Sequence, residues 1–154
     1  MAGKTAAKTA KKTTEKTGKK TAGRTTEQAK TDKLEKVFIS EADQYLFSQA
    51  THYDIYKKLG AHVSEERRKR GVYFGVWAPN ASAVHVIGSF NGWDESAHPM
   101  EKLGPVGIWG LFIPGVKTGE MYKFLITAKD GRKIYKADPF ANSAEYRPGT
   151  ASVI

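Results

Sequence analysis

The distribution of aromatic residues constrains this chain most. All 17 aromatic side chains fall between Phe38 and Tyr146, and residues 1–33 contain none. A hydrophobic core can therefore assemble only over roughly the last 110 positions, a common size for a single sandwich domain. The charge is divided the same way. The first 33 residues carry nine Lys and Arg24 against Glu15, Glu27 and Asp32, so most of the net +9 sits in a Lys/Thr/Ala-rich segment. Such a segment cannot bury enough apolar surface to offset its ordering entropy, and residues 1–33 are predicted to be a disordered basic tail. It reads as solubilising. Phosphate attraction, the nucleic-acid alternative, is disfavoured because no aromatic or Arg-rich pattern accompanies the charge.

Residues 34–60 are predicted to form a short helical lead-in. Ser40 with Asp43 makes a weak capping box, Tyr53, Tyr56 and Leu59 recur at three-residue steps along one helix face, and Gly60 ends the segment. The run Glu65–Arg70 is wholly charged and reads as a solvated loop. From Gly71 the period becomes two. Val72, Phe74 and Val76 alternate with Tyr73, Gly75 and Trp77, and Pro79-Asn80 then stops the strand. Further strands follow at 83–90, 108–113, 121–128, 132–137 and 151–154, separated by turn signals such as Asn91-Gly92, Pro114-Gly115 and Asp130-Gly131. The expected fold is all-β: an antiparallel, immunoglobulin-like sandwich over residues 61–154. Trp77 and Trp109, inside strands, are expected in the core.

No catalytic or cofactor signature emerges. His52, His62, His85 and His98 show no i+3 or i+4 pairing, so no helical metal site is expected. Gly88-Ser89-Phe90-Asn91-Gly92 puts its serine one place too early for a nucleophile elbow. No Gly-rich phosphate loop opens a helix, and the acidic residues show no spacing that pairs carboxylates for glycoside chemistry. The absence of cysteine removes disulfides, thiolate metal sites and a Cys nucleophile. With no signal-like stretch and no membrane span in the sequence, a soluble cytoplasmic chain is expected.

What remains distinctive is sequence-specific: Leu59-Gly60-Ala61-His62, Val76-Trp77-Ala78-Pro79-Asn80-Ala81, Gly88-Ser89-Phe90-Asn91-Gly92-Trp93-Asp94, His98-Pro99-Met100, the run Trp109 to Gly115, Tyr122-Lys123-Phe124, Lys136 to Ala141 and Arg147 to Ser152. In this order, from about Tyr53 to Ile154, they resemble the N-terminal module of bacterial 1,4-α-glucan (glycogen) branching enzymes. That module is grouped with the family-48 carbohydrate-binding modules of glycoside hydrolase family 13. The resemblance implies an early-set, immunoglobulin-like sandwich in front of a (β/α)8 barrel that holds every catalytic carboxylate. The chain ends at Ile154, where that family continues into its barrel, so by itself it is expected to have no catalytic residues and no enzyme activity. Its expected role is glucan binding or barrel docking for a branching enzyme of glycogen biosynthesis. The alternatives are a stand-alone weak glycogen binder or a basic-tailed nucleic-acid-interacting protein.

The resemblance also implies a glucan-binding set. Trp93, from the Phe-Asn-x-Trp motif, would stack on a sugar face, with Asn91 and Lys123 meeting hydroxyls. One face covering roughly 100 Å² of indole contributes about 2.5 kcal/mol at ~25 cal/mol per Å². A millimolar complex needs about 4 kcal/mol, so a second aromatic is required. In dedicated binders this is a Trp shortly after the Asp-Gly turn, where this chain has Arg132 and Lys133. Tyr135 is the nearest aromatic, at a position that can also face the core, and weak binding is expected. Phe140 and Tyr146, in the irregular segment 136–152, are expected to form an apolar barrel-docking patch.

Overall fold

The structure is a computed structural model, and it describes residues 37–154. The segment read as a disordered tail, with the first residues of the lead-in, lies outside them. The lead-in contains one helix, α1 (Glu41–Ser48), started by the capping box read from the sequence. The Ser40 hydroxyl accepts from the Asp43 amide, and the Asp43 carboxylate accepts from the Ser40 amide at 2.7 Å. Lys58 Nζ and His52 Nε2 close on the same carboxylate at 2.5 and 2.8 Å. Burial alone would raise the Asp43 pKa, but the Lys58, Ser40 and His52 bonds outweigh it and hold the carboxyl well below its usual range.

The helix expected along Tyr53, Tyr56 and Leu59 is instead a single 3-10 turn, Ile55–Lys57. Tyr53 and Tyr56 face solvent, while Ile55 and Leu59, four residues apart, point inward. The buried face was thus set by the aliphatic pair and not by the tyrosines.

Two antiparallel sheets follow. The first has the order β1-β2-β5-β4, from Gly60–Glu66, Lys69–Trp77, Ile108–Pro114 and Glu101–Lys102. The second runs β3-β6-β9-β8, from Ala81–Gly88, Met121–Ala128, Ser152–Val153 and Ser143–Ala144, with β7 (Lys133–Lys136) also paired to β6. Val72, Phe74 and Val76 of the first sheet join Val84, Val86, Tyr122 and Phe124 of the second in one buried cluster. This is the period-two face read from the sequence. The opposite face of the first sheet is covered as well. There Tyr73 and Ile108 pack with Ile39, Ile55 and Leu59 of the lead-in.

Two sequence readings change. The charged run Glu65–Arg70 is no loop: β1 and β2 pair through Glu65↔Arg70 and Glu66↔Lys69, and Arg67-Arg68 make a two-residue turn with φ of 49° and 63°. Trp109 is buried, with its indole N–H on the Ala78 carbonyl at 3.0 Å. Trp77, however, is 51% exposed. It ends β2 on the face that the lead-in covers, and there it meets Phe47 edge-on while its N–H donates to Val106 O.

Candidate functional site

The Phe-Asn-Gly-Trp motif forms a loop whose shape follows from Gly88, the last residue of β3. A Cβ there would lie 2.3 Å from the Met121 carbonyl oxygen and 2.7 Å from the Phe90 ring. Without one, β3 closes on β6 and Phe90 folds back against Phe74. Ser89–Asn91 make a 3-10 turn, after which Gly92 and Trp93 both adopt left-handed backbone, φ 65° and 62°. A bulky residue at positive φ costs about 1–3 kcal/mol and persists only where its surroundings impose it. Here the Trp93 amide donates to Gly88 O at 2.9 Å. Asn91 does the rest: Oδ1 accepts from the Gly88 amide at 2.9 Å, and Nδ2 reaches Val86 O at 3.1 Å and His98 Nδ1 at 2.9 Å. The Asn91 amide group is therefore engaged inside the loop that displays Trp93.

The loop returns along the free edge of β3, where the Val86 amide donates to His98 O and the Met100 amide to Val84 O. Ahead of these anchors Glu95 reaches β7. It accepts from Lys133 Nζ at 2.6 Å and from the Tyr135 hydroxyl. Since β3 and β6 lie between residues 98–100 and β7, the loop must arch over the outer face of the second sheet. Ile87 and Leu125, which point to that face, are only 3% and 1% exposed.

The register assigns the remaining side chains. Ile87 pairs with Lys123, His85 with Leu125, and Leu125 with Tyr135, so Lys123, Leu125 and Tyr135 share the outer face. Tyr135 does not face the core; it is 50% exposed and Trp93 39%. Counting back from the Asp130-Gly131 turn would have found this, because Ile134 takes the inward side opposite Ile126 and leaves Tyr135 outward. Lys123 Nζ donates to Thr150 Oγ1 at 2.7 Å, which leaves two of its three donors for a ligand. The Lys133 and Tyr135 bonds hold the Glu95 carboxyl below its ordinary pKa, and Glu95 in turn raises both partners.

The outer face thus offers Tyr135 and Lys123, and the loop tied to it through Glu95 carries a second accessible aromatic, Trp93. That arrangement suits binding of an amphipathic neutral ligand, and no paired carboxylates stand among these groups. Among the described residues, no three or more His, Asp or Glu are gathered as metal ligands, and no helix is long and apolar enough to cross a membrane.

Phe140 and Tyr146 sit differently from each other. The segment after β7 is pinned by Asp138, whose carboxylate accepts from Tyr122 Oη at 2.5 Å and from the Phe140 amide at 2.8 Å. Phe140 is half-buried against the Tyr73–Ile108 cluster, whereas Tyr146 is 96% exposed.

Comparison with known proteins agrees with this architecture. Residues 58–141 match the family model described as carbohydrate-binding module 48 (isoamylase N-terminal domain). The 1,4-alpha-glucan branching enzyme GlgB of Butyrivibrio fibrisolvens is 69% identical over 118 residues, 77% of this chain and 18% of that protein. The corresponding enzyme of Halothermothrix orenii is 51% identical over 115 residues, 75% of this chain and 18% of that protein. The chain therefore spans less than a fifth of the length of these relatives. Among solved structures, the pullulanase from Bacillus acidopullulyticus superposes with a TM-score of 0.51 at 28% identity, covering 62% of this chain and 11% of that one. The apo pullulanase from Paenibacillus barengoltzii gives 0.51 at 26%, covering 62% and 14%. The matched span contains the whole Trp93 loop, Lys123 and Tyr135, and the chain belongs to the carbohydrate-binding module 48 family, in the form of the N-terminal module of glycogen branching enzymes.

Proposed function

We propose that this module holds an α-glucan weakly against Trp93, Tyr135 and Lys123, on behalf of the barrel of a glycogen branching enzyme that contains all the catalytic carboxylates. The observation that carries the reading is the outward Tyr135, tied through Glu95 to the loop that presents Trp93. It supplies the second aromatic that the affinity argument requires. With about 100 Å² of accessible ring on each, two platforms contribute ~5 kcal/mol in total at ~25 cal/mol per Å². Ordering of side chains and sugar offsets part of this, which leaves binding in the millimolar range. Lys123 adds hydroxyl contacts, and Asn91 serves by holding the turn.

Native gels containing glycogen test this directly. The full chain should be retarded, Trp93→Ala should run as in a glycogen-free gel, and Tyr135→Ala should lie between. Unchanged retardation in both variants would sink the proposal.

A second role is compatible with the first. Tyr146, at 96% exposed on the segment that follows β7, is an aromatic with nothing to cover it among the described residues. With Phe140 beside the second core, it is proposed as a contact for the barrel.

A further inference from the structure

The loop that presents Trp93 is closed by His98, which has no part in the sugar contacts proposed above. Asn91 fixes the chemistry between them. Its Oδ1 accepts from the Gly88 amide at 2.9 Å, and its Nδ2 donates to Val86 O at 3.1 Å. These two backbone partners leave the carboxamide one orientation, because an amide N–H only donates and a carbonyl only accepts. The second Nδ2 proton is left for His98 Nδ1, 2.9 Å away. His98 Nδ1 must therefore be an acceptor, so the ring is neutral and carries its proton on Nε2.

Packing and backbone hold the ring in this place. It meets Phe90 edge-on with centroids 5.7 Å apart, and Phe90 in turn lies against Phe74 of the inter-sheet core. The His98 backbone is left-handed, φ 54°, and its carbonyl accepts from the Val86 amide. Trp93 and His98 thus both stand at positive φ, which non-glycine residues keep only under restraint from their surroundings. The Asn91 carboxamide links the two ends of that loop.

Protonation reverses the contact. A proton on Nδ1 sets two donors against each other at 2.9 Å, and the bond is lost. The titratable groups around the ring come from two elements. Asp94 is on the loop itself; Ser96 holds its carboxyl below the ordinary range, and it also feels the charge of His98. An ionised Asp94 offers the imidazolium an alternative partner. His85 is on β3, its backbone bridged to Pro99. It alternates with Val84 and Val86 of the core, so its ring takes the outer side of the sheet, away from Phe90.

We propose that His98 is a positioning residue for the Trp93 platform and acts only in its neutral form, through Asn91. The consequence for glucan rests on the glucan-binding reading above; the contact itself does not. With His98 neutral, Asn91 holds both ends of the loop and Trp93 keeps the orientation that meets a sugar face. With His98 protonated, Asn91 keeps only Gly88 and Val86, residues 93–98 loosen, and the hold on α-glucan weakens. Binding then falls within about pH 5–8, where imidazoles titrate. That step is separate from loss of the Glu95 tie, which needs pH below the ordinary carboxylate range.

The test reads the loop and the glucan separately. In amide-resolved NMR of the full chain without glucan, Asn91, Trp93 and Asp94 should titrate together with the His98 ring between about pH 7.5 and pH 5. In native gels containing glycogen, affinity should fall about tenfold over the same interval, which is about 1.4 kcal/mol and the size of one hydrogen bond. His98→Asn keeps an acceptor near the Nδ1 position, suits left-handed backbone and does not titrate. It should bind at both pH values as the parent does at the higher one. His98→Ala, without an acceptor, should bind weakly at both. A parent whose loop shifts and retardation are flat with pH, or a His98→Asn profile that falls like the parent's, would overturn the proposal. A loop that titrates in a parent never retarded by glycogen would remove the glucan reading alone and still support His98 as the residue that positions Trp93.

Discussion

Tyr122→Phe isolates one buried hydrogen bond and tests how the segment leading to Phe140 is held. Tyr122 is fully buried, Asp138 is 6% exposed, and the hydroxyl meets the carboxylate at 2.5 Å. The substitution keeps the ring in the inter-sheet core and leaves Asp138 Oδ2 without this donor. A hydrogen bond to a charged group contributes about 1.5–3 kcal/mol, so a loss of ~2 kcal/mol is expected at neutral pH. For a domain of this size that lowers Tm by roughly 6–10 °C. The pH dependence carries the sharper test. Burial raises the Asp138 pKa above its unfolded value, so the native state takes up its proton more readily than the unfolded chain. The stability linked to this group is fully present below the unfolded value and is lost as pH rises through the folded one. The Tyr122 bond opposes burial and lowers the pKa, which limits that loss. Without it, Asp138 moves further up. The deficit of the variant should be largest near pH 7 and shrink as acid protonates the carboxyl, towards about pH 4. Urea unfolding followed by tryptophan fluorescence at both pH values measures this. A deficit of equal size at the two, or none at neutral pH, would refute the assignment of Asp138 as a buried, hydroxyl-supported carboxylate.

Glu95→Gln should leave the melting temperature unchanged, because the ion pair with Lys133 is solvent-accessible. It should nonetheless reduce retardation in glycogen gels by loosening the tie between the Trp93 loop and Tyr135. Since its partners hold the Glu95 pKa down, the tie is present at neutral pH and is lost as pH falls through that lowered value; wild-type retardation should fall there too. Tyr146→Ala should not alter stability or glycogen retardation. In calorimetric titration against a separately expressed branching-enzyme barrel it should weaken association, and an unchanged isotherm would argue against a docking role.

Much of the sandwich was legible because its inter-sheet core follows a strict alternation. Val72, Phe74 and Val76, then Val84 and Val86, then Tyr122 and Phe124, all lie on the expected side. The Ser40 cap was legible because a capping box is local chemistry. β1 was not. On the face it turns to the lead-in it carries His62, Ser64 and Glu66, and buried Ser64 accepts from the Val37 amide at 2.9 Å. A strand whose covered face is polar shows no hydrophobic period, and its turn is Arg67-Arg68 where Asn-Gly would be the usual signal. Trp77 was misplaced for a related reason. Alternation fixes the side of the sheet but not how far the covering layer extends, and where the lead-in meets Trp77, edge-on through Phe47, it leaves the indole half exposed.

The site shows the same limit more sharply. Trp93, Asn91 and Lys123 belong to motifs and were visible as residues, but how the fold deploys them was not, with Asn91 engaged inside the loop. The left-handed backbone at Trp93 follows from bonds that Asn91 makes to Gly88, Val86 and His98, and those depend on the loop's returning along β3. Tyr135 gains its place from hairpin register, and Glu95 from an arch across two strands. In a sequence, a glutamate in a Ser- and Asp-containing loop reads as one more solvated charge. In the fold it joins the two aromatic segments, so the spacing of Trp93 and Tyr135, and with it the proposed hold on glucan, depends on a carboxylate that no motif marks.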